Sequence, residues 1–452
     1  MDQLVSSILD YSKIFRIKEM SAAEYIECKR RLLDVVACGL AAFNEDAVKI
    51  SRNFATRYEL SNRHSFPNLL GTSLCVSMEM AAFSNAIAIR YFDGADTFPG
   101  GGGHPSDCWA GLIAVAQEVD ADVKTLFQSV LLAYDVFYAL FKGGNLRDKG
   151  IDNAFYVTVA TAVGAAFLLE LDAISFANAV SLAIVPNVSL GVARTGALSM
   201  WKSGASANAA RNGVFAALMA KEGLTGPAQP FSGERGLFFV TAPFDLSWES
   251  DPGKSKIFDA HMKSYLCDYH SQTAISVAAQ LHNKIEVSEI DKVIVFTYWF
   301  AWHEVASDAS KWTPQNRETA DHSLPWIVAG VLLDGQFSDA LFTQARFEDS
   351  QMLDLCARVQ VIEDIELTRL FPMRMPCRIE ITRKNGQKIE AFAELPHGHP
   401  DFPIDDERLK QKFMMLTAKS ISRENALQLW TQLWSLQSGD STRGLFSQCQ
   451  VN

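Results

Sequence analysis

The sequence predicts a mainly α-helical protein: a large all-helical domain, with a smaller α+β domain inserted before the C-terminal helices. The first half of the chain is rich in alanine and repeats its apolar residues at helical spacing. After about residue 255 the composition changes to runs of β-branched and aromatic residues, and a helical pattern returns at 405–436. We therefore expect one domain from residues 1–257 with 397–452, and the other from residues 258–396.

The helical domain opens with a sequence signal for a helix start. Ser21 and Glu24 have the spacing of a capping box, which predicts a helix from there to Ala42. Small side chains in the later helices favour close helix–helix packing. The further predicted helices cover residues 77–92, 106–119, 122–142, 154–171, 174–186 and 205–222.

The α+β domain shows one clear hairpin. Residues 377–382 alternate apolar and polar, Asn385-Gly386 predicts a type I′ turn, and residues 387–394 return in alternation. Residues 292–300 read as another strand, and helical pieces at 271–282 and 321–334 lie among the strands. The last dozen residues, with Ser, Gly, Asp and Gln, are expected to form a loose tail.

Composition excludes several classes of function. The 452 residues carry a net charge of −11 without a basic patch, which argues against nucleic acid as a partner. Local cations would have to hold any anionic substrate. No secretory signal and no uninterrupted membrane-spanning run is evident, so no membrane contact is expected. The eight scattered cysteines lack metal-binding spacing, which indicates a reduced, cytoplasmic protein; a mitochondrial location stays open for a eukaryotic source.

One loop between two apolar helices concentrates chemically useful groups. Its glycines would let the backbone approach a ligand closely. Pro105 suits a first helical turn, which places His104 at an electropositive helix start. The alternative is a flexible loop in which Asp96 or Ser106 caps a helix. The loop contains Asp93, Asp96, Thr97, four glycines at 100–103, and His104.

Two other segments carry lysine or histidine next to helix starts. Lys202, between an aromatic residue and a glycine, could hold a carboxylate or be a solvated lysine at a helix end. His270, in the segment 263–272 that also contains Lys263, precedes a helix whose start would welcome an anion. The alternative makes Asp268 or Ser271 the helix cap and leaves His270 on the surface.

Three further groups are ambiguous. Arg317 could grip a carboxylate through two hydrogen bonds, or belong to a structural network with neighbouring acids. Asp321 could orient His322 or cap the next helix. Tyr156 could donate its hydroxyl to a ligand or pack in the core. The histidines at 397 and 399 suggest metal binding, but without a third ligand nearby a turn is the better interpretation.

Taken together and in order, these blocks resemble the MmgE/PrpD family, which includes 2-methylcitrate dehydratase, cis-aconitate decarboxylase and iminodisuccinate epimerase. The segment 317–325 looks most like the methylcitrate dehydratase branch. The blocks are Asp93-x-x-Asp96-Thr97, His104-Pro105-Ser106-Asp107, Met200-Trp201-Lys202, residues 208–218, residues 222–227, Tyr269-His270-Ser271-Gln272, residues 317–325, and His397-Gly398-His399-Pro400.

The resemblance implies a helical domain with an α+β lid, a homodimer, and chemistry on a small polycarboxylate without cofactor or metal. It implies proton abstraction beside a carboxylate, most simply in the dehydration of 2-methylcitrate or a related hydroxy acid. The catalytic residues it implies are His104, His270, Asp93, Lys202 and Lys263, with Lys263 and His270 from the lid. Residues expected to contact the substrate are Thr97, Tyr156, Arg317, His322 and Asn153.

Two departures from the family pattern leave alternatives open. Asn153 stands where the family commonly has histidine, and an amide cannot shuttle protons. The segment 93–97 has Gly94-Ala95 where bulkier residues are usual, and the glycine run is expected to add slack before His104. An epimerase or isomerase, a decarboxylase, and a catalytically inactive binding homologue therefore remain alternatives.

Overall fold

The computed structural model describes residues 2–60, 67–144, 146–195, 198–248, 254–446 and 448–451, which form two compact units. Unit 1 comprises Met1–Gly196, Met200–Ala260 and Asp405–Asn452, and unit 2 comprises Ala197–Ser199 and His261–Ile404. The predicted fold class, mainly α with a small α+β part, is confirmed. The domain limits expected at 257/258 and 396/397 stay predictions; the compact units divide a few residues later.

Unit 1 is built from helices, and its first ten precede residue 242. The predicted capping box is present, because Ser21 and Glu24 exchange side-chain and backbone hydrogen bonds at the start of the second helix. The helices are α1 (Gln3–Ile17), α2 (Ala22–Ala41), α3 (Asp46–Ala55), α4 (Met78–Tyr91), α5 (Trp109–Val119), α6 (Val123–Gly143), α7 (Ala154–Leu168), α8 (Ala173–Ile184), α9 (Trp201–Lys221) and α10 (Leu237–Thr241).

The core of unit 1 centres on α7, every residue of which is buried. Helices α6, α8 and α9 pack around it. A Cβ placed on Gly213 of α9 would lie 2.7 Å from the carbonyl oxygen of Thr158 on α7. Only glycine therefore permits this approach, and the predicted close packing of small residues is confirmed.

Among the described helices, α6 is long and apolar enough to cross a bilayer. About 83% of its most apolar stretch is buried inside the protein, as is usual for a core helix. Lys124, Asp135 and Lys142 interrupt the helix, so the expectation that the sequence has no uninterrupted apolar run of this length is not contradicted.

Unit 2 packs helices on a four-stranded mixed sheet of order β2-β1-β3-β4. The β1–β2 pair is parallel and the other two pairs are antiparallel. Helices α11 and α14 contribute to the buried core against this sheet. The elements are α11 (Gln272–His282), β1 (Ile290–Thr297), α12 (Trp299–Ala306), α13 (Arg317–Ala320), α14 (Leu324–Asp334), α15 (Gln344–Phe347), α16 (Ser350–Ala357), β2 (Val359–Glu363), α17 (Ile365–Leu370), β3 (Cys377–Arg383) and β4 (Lys388–Ala393).

Two strand predictions need correction. The strand expected over 292–300 ends at Thr297, because the ring of Tyr298 turns into an aromatic cluster with Phe371 and α12 begins directly afterwards. The β3–β4 hairpin is confirmed, but its turn is not type I′. Arg383 pairs with Gln387 across a three-residue loop in which Gly386 has a positive φ and Asn385 does not.

The chain returns to unit 1 through α18 (Asp406–Thr417), which packs on α2, and α19 (Arg423–Ser435). The prediction of a loose C-terminal tail is wrong for the described residues. The backbone N–H of Val123 donates to Asp440 O at 2.9 Å, and that of Val451 donates to Gly71 O at 2.9 Å. Cys449 is also fully buried, so the tail is part of the folded unit.

Candidate functional site

The loop between α4 and α5 holds Asp93 and His104 side by side within unit 1. His104 Nε2 lies 3.4 Å from Asp93 Oδ1. Asp93 has a left-handed backbone (φ 53°), which aspartate tolerates better than most residues. Its buried carboxylate also forms an ion pair with Arg90, from the last turn of α4. The left-handed turn thus directs one carboxylate toward both an arginine and a histidine.

The other nitrogen of His104 defines the state of the ring. His104 Nδ1 lies 2.8 Å from the carbonyl oxygen of Asp96. A carbonyl oxygen can only accept, so Nδ1 carries the hydrogen and Nε2 is the nitrogen that can exchange a proton with another group. Pro105 follows directly, although it opens a short 3₁₀ turn, Pro105–Cys108, rather than α5 itself.

The buried carboxylate of Asp96 anchors this loop. It accepts hydrogen bonds from Arg31 Nη1 at 3.1 Å, from the Tyr134 hydroxyl at 2.7 Å and from the Ser106 N–H at 3.1 Å. Charge-assisted bonds of this kind are about twice as strong as neutral ones. Asp96 therefore fixes the carbonyl that orients His104.

Gly102 and Gly103, the last two residues of the glycine run, are packed against side chains, so the expected slack directly before His104 is absent. A Cβ on Gly102 would lie 2.7 Å from Phe98 Cβ, and one on Gly103 would lie 2.4 Å from Asn153 Cγ. The hydroxyl of Thr97 donates to Gly103 O at 3.0 Å. Gly102 and Gly103 thus serve internal packing here.

Asn153 and Tyr156 have different settings at the start of α7. Asn153 lies against Gly103, and its Oδ1 is buried without a hydrogen-bond partner. The Tyr156 hydroxyl donates to Gly144 O at 3.2 Å inside the core, where burial raises the pKa of the phenol. This matches the packed-core alternative for Tyr156, while Asn153 borders the loop that carries His104.

Lys202 lies in the first turn of α9 and is 1% exposed, which excludes the solvated-lysine alternative. Its turn is held by Arg194, whose guanidinium donates to the Lys202 carbonyl at 2.9 Å. The same guanidinium bonds Asp152 Oδ2 at 3.0 Å and Ser206 Oγ at 3.2 Å. Arg194 thereby ties the start of α7 to the turn that carries Lys202.

Asp107 is a buried acid that sequence analysis did not single out. It is 1% exposed, the side chain of Ser206 lies within reach of its carboxylate, and Arg90 Nε lies 3.7 Å from Oδ2. Burial raises the pKa of Asp107 to about 6, although the charge of Arg90 opposes the shift. Arg90 therefore has acids on two sides, Asp93 and Asp107.

A second missed residue is Lys412 of α18, because nothing in its local sequence separates it from the neighbouring surface lysines. Its Nζ donates to Asp34 Oδ1 at 2.6 Å and to Gly94 O at 2.8 Å. All three groups lie in unit 1, so a C-terminal helix holds the backbone next to Asp93.

In unit 2, Lys263 is fully buried, and its Nζ donates to Cys267 O at 3.3 Å. The side chain of Asp268 caps the turn Tyr269–Ser271, as the alternative interpretation predicted. His270 is nevertheless half-buried rather than on the surface. Its Nδ1 lies 2.7 Å from the Tyr298 hydroxyl, and its ring packs 4.8 Å from that of Phe300.

The remaining unit 2 candidates separate into two environments. His322 Nδ1 lies 2.6 Å from Asp321 Oδ1, and its Nε2 lies 3.7 Å from Asp268 Oδ2. Arg317 instead pairs with Asp339 at 3.4 Å and lies over the ring of Phe342. This is the structural alternative for Arg317, and its substrate contact stays a prediction.

The motif at 397–400 forms a turn, as interpreted from the sequence. Gly398 has φ 97°, and a Cβ there would overlap the Met262 carbonyl oxygen. His399 Nδ1 accepts from the Asp401 N–H at 3.0 Å, and burial lowers the pKa of the His399 ring.

The candidates thus form two clusters, one in each unit. The unit 1 cluster is the loop that carries Asp93, Thr97 and His104, together with Asn153, which packs against it. The unit 2 cluster contains His270 and His322, which both lie near the carboxylate of Asp268. The positioning groups Arg90, Arg194 and Lys412 were missed. The sequence did place Arg90 only three residues before Asp93, close enough for an ion pair.

Comparison with family models covers most of the chain. A model described as the MmgE/PrpD N-terminal domain matches residues 6–247, and one described as the MmgE/PrpD C-terminal domain matches residues 265–436.

Several relatives are dehydratases. The 2-methylcitrate dehydratase of Cupriavidus necator is 26% identical over 426 residues, covering 88% of this chain and 86% of that protein. The 2-methylcitrate dehydratase of Escherichia coli K12 is 26% identical over 439 residues with the same coverage. Alkylcitrate dehydratase phiI of Talaromyces stipitatus is 27% identical over 383 residues, covering 76% of each chain.

Proposed function

Because the chain belongs to the MmgE/PrpD family, we propose that it is a hydro-lyase that removes water from a small hydroxy polycarboxylate, with 2-methylcitrate or a related alkylcitrate as the substrate. The names of its relatives support a dehydratase. The observation that carries the proposal is the His104–Asp93 pair, with Nδ1 fixed by a carbonyl and Nε2 beside a carboxylate.

The reaction begins at a carbon next to a carboxylate. A base removes its proton, the electron pair forms a carbon–carbon double bond, and the neighbouring hydroxyl leaves as water after taking up a proton. His104 Nε2 is the proposed base. The ordinary pKa of a histidine side chain lies near neutral pH, and the contact of Nδ1 with the Asp96 carbonyl fixes one tautomer of this ring. Asp93 stabilises the ring when it carries the extra proton.

The negative charge that develops on the substrate needs cations. Lys202 and Lys263 are the proposed carboxylate ligands; both are buried, so water screens their charge less than at a surface. The hydroxyl of Thr97 and the amide of Asn153, beside the His104 loop, are proposed substrate contacts. The mechanism assigns no step to a cofactor or metal, and we propose a homodimer on the family resemblance alone.

A substrate panel tests this function. The protein, before and after treatment with a chelator, is incubated with 2-methylcitrate, citrate, cis-aconitate and iminodisuccinate, and unsaturated product is followed by absorbance. Chelator-resistant formation of an unsaturated acid from a hydroxy acid is expected. Loss of carbon dioxide from cis-aconitate, or inversion of iminodisuccinate without net change, would replace the proposal with a decarboxylase or an epimerase.

One observation favours a second candidate, a binding protein without catalysis. Asn153 stands at a position where the family commonly has histidine, and it contacts Gly103, directly before His104. Calorimetric binding of a panel acid without turnover would support this candidate, and turnover of any acid would exclude it.

A further inference from the structure

His322 has the setting of a proton-transfer group rather than of a simple binding residue. Its Nδ1 lies 2.6 Å from Oδ1 of Asp321, a carboxylate that is 1% exposed. An ionised carboxylate only accepts hydrogen bonds, so the histidine carries its hydrogen on Nδ1. The nitrogen that faces away from Asp321, Nε2, is therefore the one that can deliver or receive a proton.

The local backbone frees Asp321 from the other role that its position suggests. Helix α14 is capped by Ser323, whose hydroxyl accepts from the Trp326 N–H at 3.1 Å. The preceding α13 is capped by Asn316, which accepts from the Thr319 N–H at 2.9 Å. Asp321 therefore caps neither helix, and its carboxylate lies against His322 Nδ1 instead.

A second carboxylate lies on the other side of the ring. Asp268 Oδ2 is 3.7 Å from His322 Nε2, and the Asp268 N–H donates to the Asp321 carbonyl at 2.9 Å. A positively charged His322 ring thus has one acid near each nitrogen. The neighbouring His270 differs, because its Nδ1 meets the neutral hydroxyl of Tyr298. His322 and His270 are therefore held in contrasting environments, as proton donors and acceptors often are.

We propose that His322 is the catalytic acid that protonates the departing hydroxyl, and that Asp321 is its positioning residue; this rests on the proposed dehydration. As the carbon–oxygen bond breaks, the Nε2–H proton passes to the leaving oxygen and water forms. The ring is left neutral with Nδ1–H on Asp321. The base then releases to solvent the proton that it took from carbon, and Nε2 of His322 takes up one proton from solvent. Both side chains are thereby restored, and the net reaction releases one water molecule.

Three variants test the assignment by steady-state kinetics. His322→Gln should lower kcat by about 10²- to 10⁴-fold with little change in KM, since the lost group acts in the transition state. Asp321→Asn keeps the shape but can donate an N–H to Nδ1, and should also lower kcat. The matched control is His303→Gln, an exposed histidine 2.9 Å from Glu304, which should leave both constants unchanged.

The tautomer gives a readout that does not need turnover. Nitrogen NMR of His322 in the whole protein should show Nδ1–H when the ring is neutral, and Asp321→Asn should shift the hydrogen to Nε2. An Nε2–H tautomer in the unmodified protein, or a His322→Gln variant that raises KM while keeping kcat, would overturn the acid role of His322. The proposed dehydration would not be affected by either result. Failure of the unmodified protein to turn over any panel acid would overturn the dehydration and the acid role together.

Discussion

Lys412 donates from Nζ to Asp34 Oδ1 at 2.6 Å, and the two residues are 378 positions apart in the chain. Both side chains are buried, and the same ammonium also donates to Gly94 O beside Asp93. Burial raises the pKa of Asp34 although the charge of Lys412 opposes this shift. A C-terminal helix thus neutralises an acid of α2 and holds the loop that carries Asp93 and His104.

Lys412→Met should therefore destabilise the protein by about 3–5 kcal/mol, because it leaves a buried carboxylate without its cation. Urea unfolding measures the change. The control is Lys13→Met, which removes an exposed ion pair with Asp10 and should cost less than about 1 kcal/mol. Equal costs for the two variants would contradict a stabilising role for the buried pair.

His104→Ala should lower kcat by about 10²- to 10⁴-fold, because it removes the proposed base. The fold should survive, since the hydrogen bond between the ring and Asp96 O at 2.8 Å contributes only about 1 kcal/mol. Kinetics on the substrate found in the panel, together with circular dichroism, measure both effects. Near-normal turnover would remove His104 from the mechanism.

Gly103→Ala should reduce both stability and turnover. The new methyl group would lie 2.4 Å from Asn153 Cγ, and alanine at φ +87° costs about 1–2 kcal/mol. The matched control is Gly150→Ala, which has φ +75° but open space around its Cβ. The control variant should lose only the stability that an alanine at positive φ costs, and its kcat should not change. If both glycine variants behaved alike in unfolding and kinetics, the contact with Asn153 would have no role.

Asp107→Asn should be more stable than the unmodified protein at pH 8. The folded pKa of about 6 lies above the ordinary 3.8, so folding is penalised once Asp107 ionises. Stability of the unmodified protein should fall between pH 4 and pH 6, by at most about 3 kcal/mol. The advantage of the variant should therefore shrink toward pH 4. Urea unfolding at four pH values measures it, and a pH-independent difference would refute this account.

Sequence patterns predicted those features that depend on neighbours in the chain. The capping box at Ser21 and the hairpin strands arise from local spacing, and both are present. The Asn385-Gly386 pair marked the hairpin but not its turn type, since the same residues suit a three-residue loop with glycine in the left-handed position. Strand β2 was missed because its five residues gain their stability from pairing with β1.

The site was predictable to the extent that its residues cluster in short motifs. Asp93, Thr97 and His104 fall within one loop and were found together. The groups that hold them come from distant segments: Arg31 lies 65 positions from Asp96, and Arg194 lies 42 from Asp152. Such pairings leave no spacing signal in a single sequence, and the side-chain packing of the glycine run depends on Phe141 and Asn153.

The bond between Lys412 and Asp34 also constrains the order in which the protein matures on the ribosome. Residues 261–404, which make up nearly all of unit 2, are synthesised without interruption and can fold as soon as they emerge. Unit 1 is completed later, because the ammonium that pairs with an acid of its second helix is translated 378 residues after that acid. The surface of α2 on which α18 packs is therefore covered only once the last part of the chain has been made.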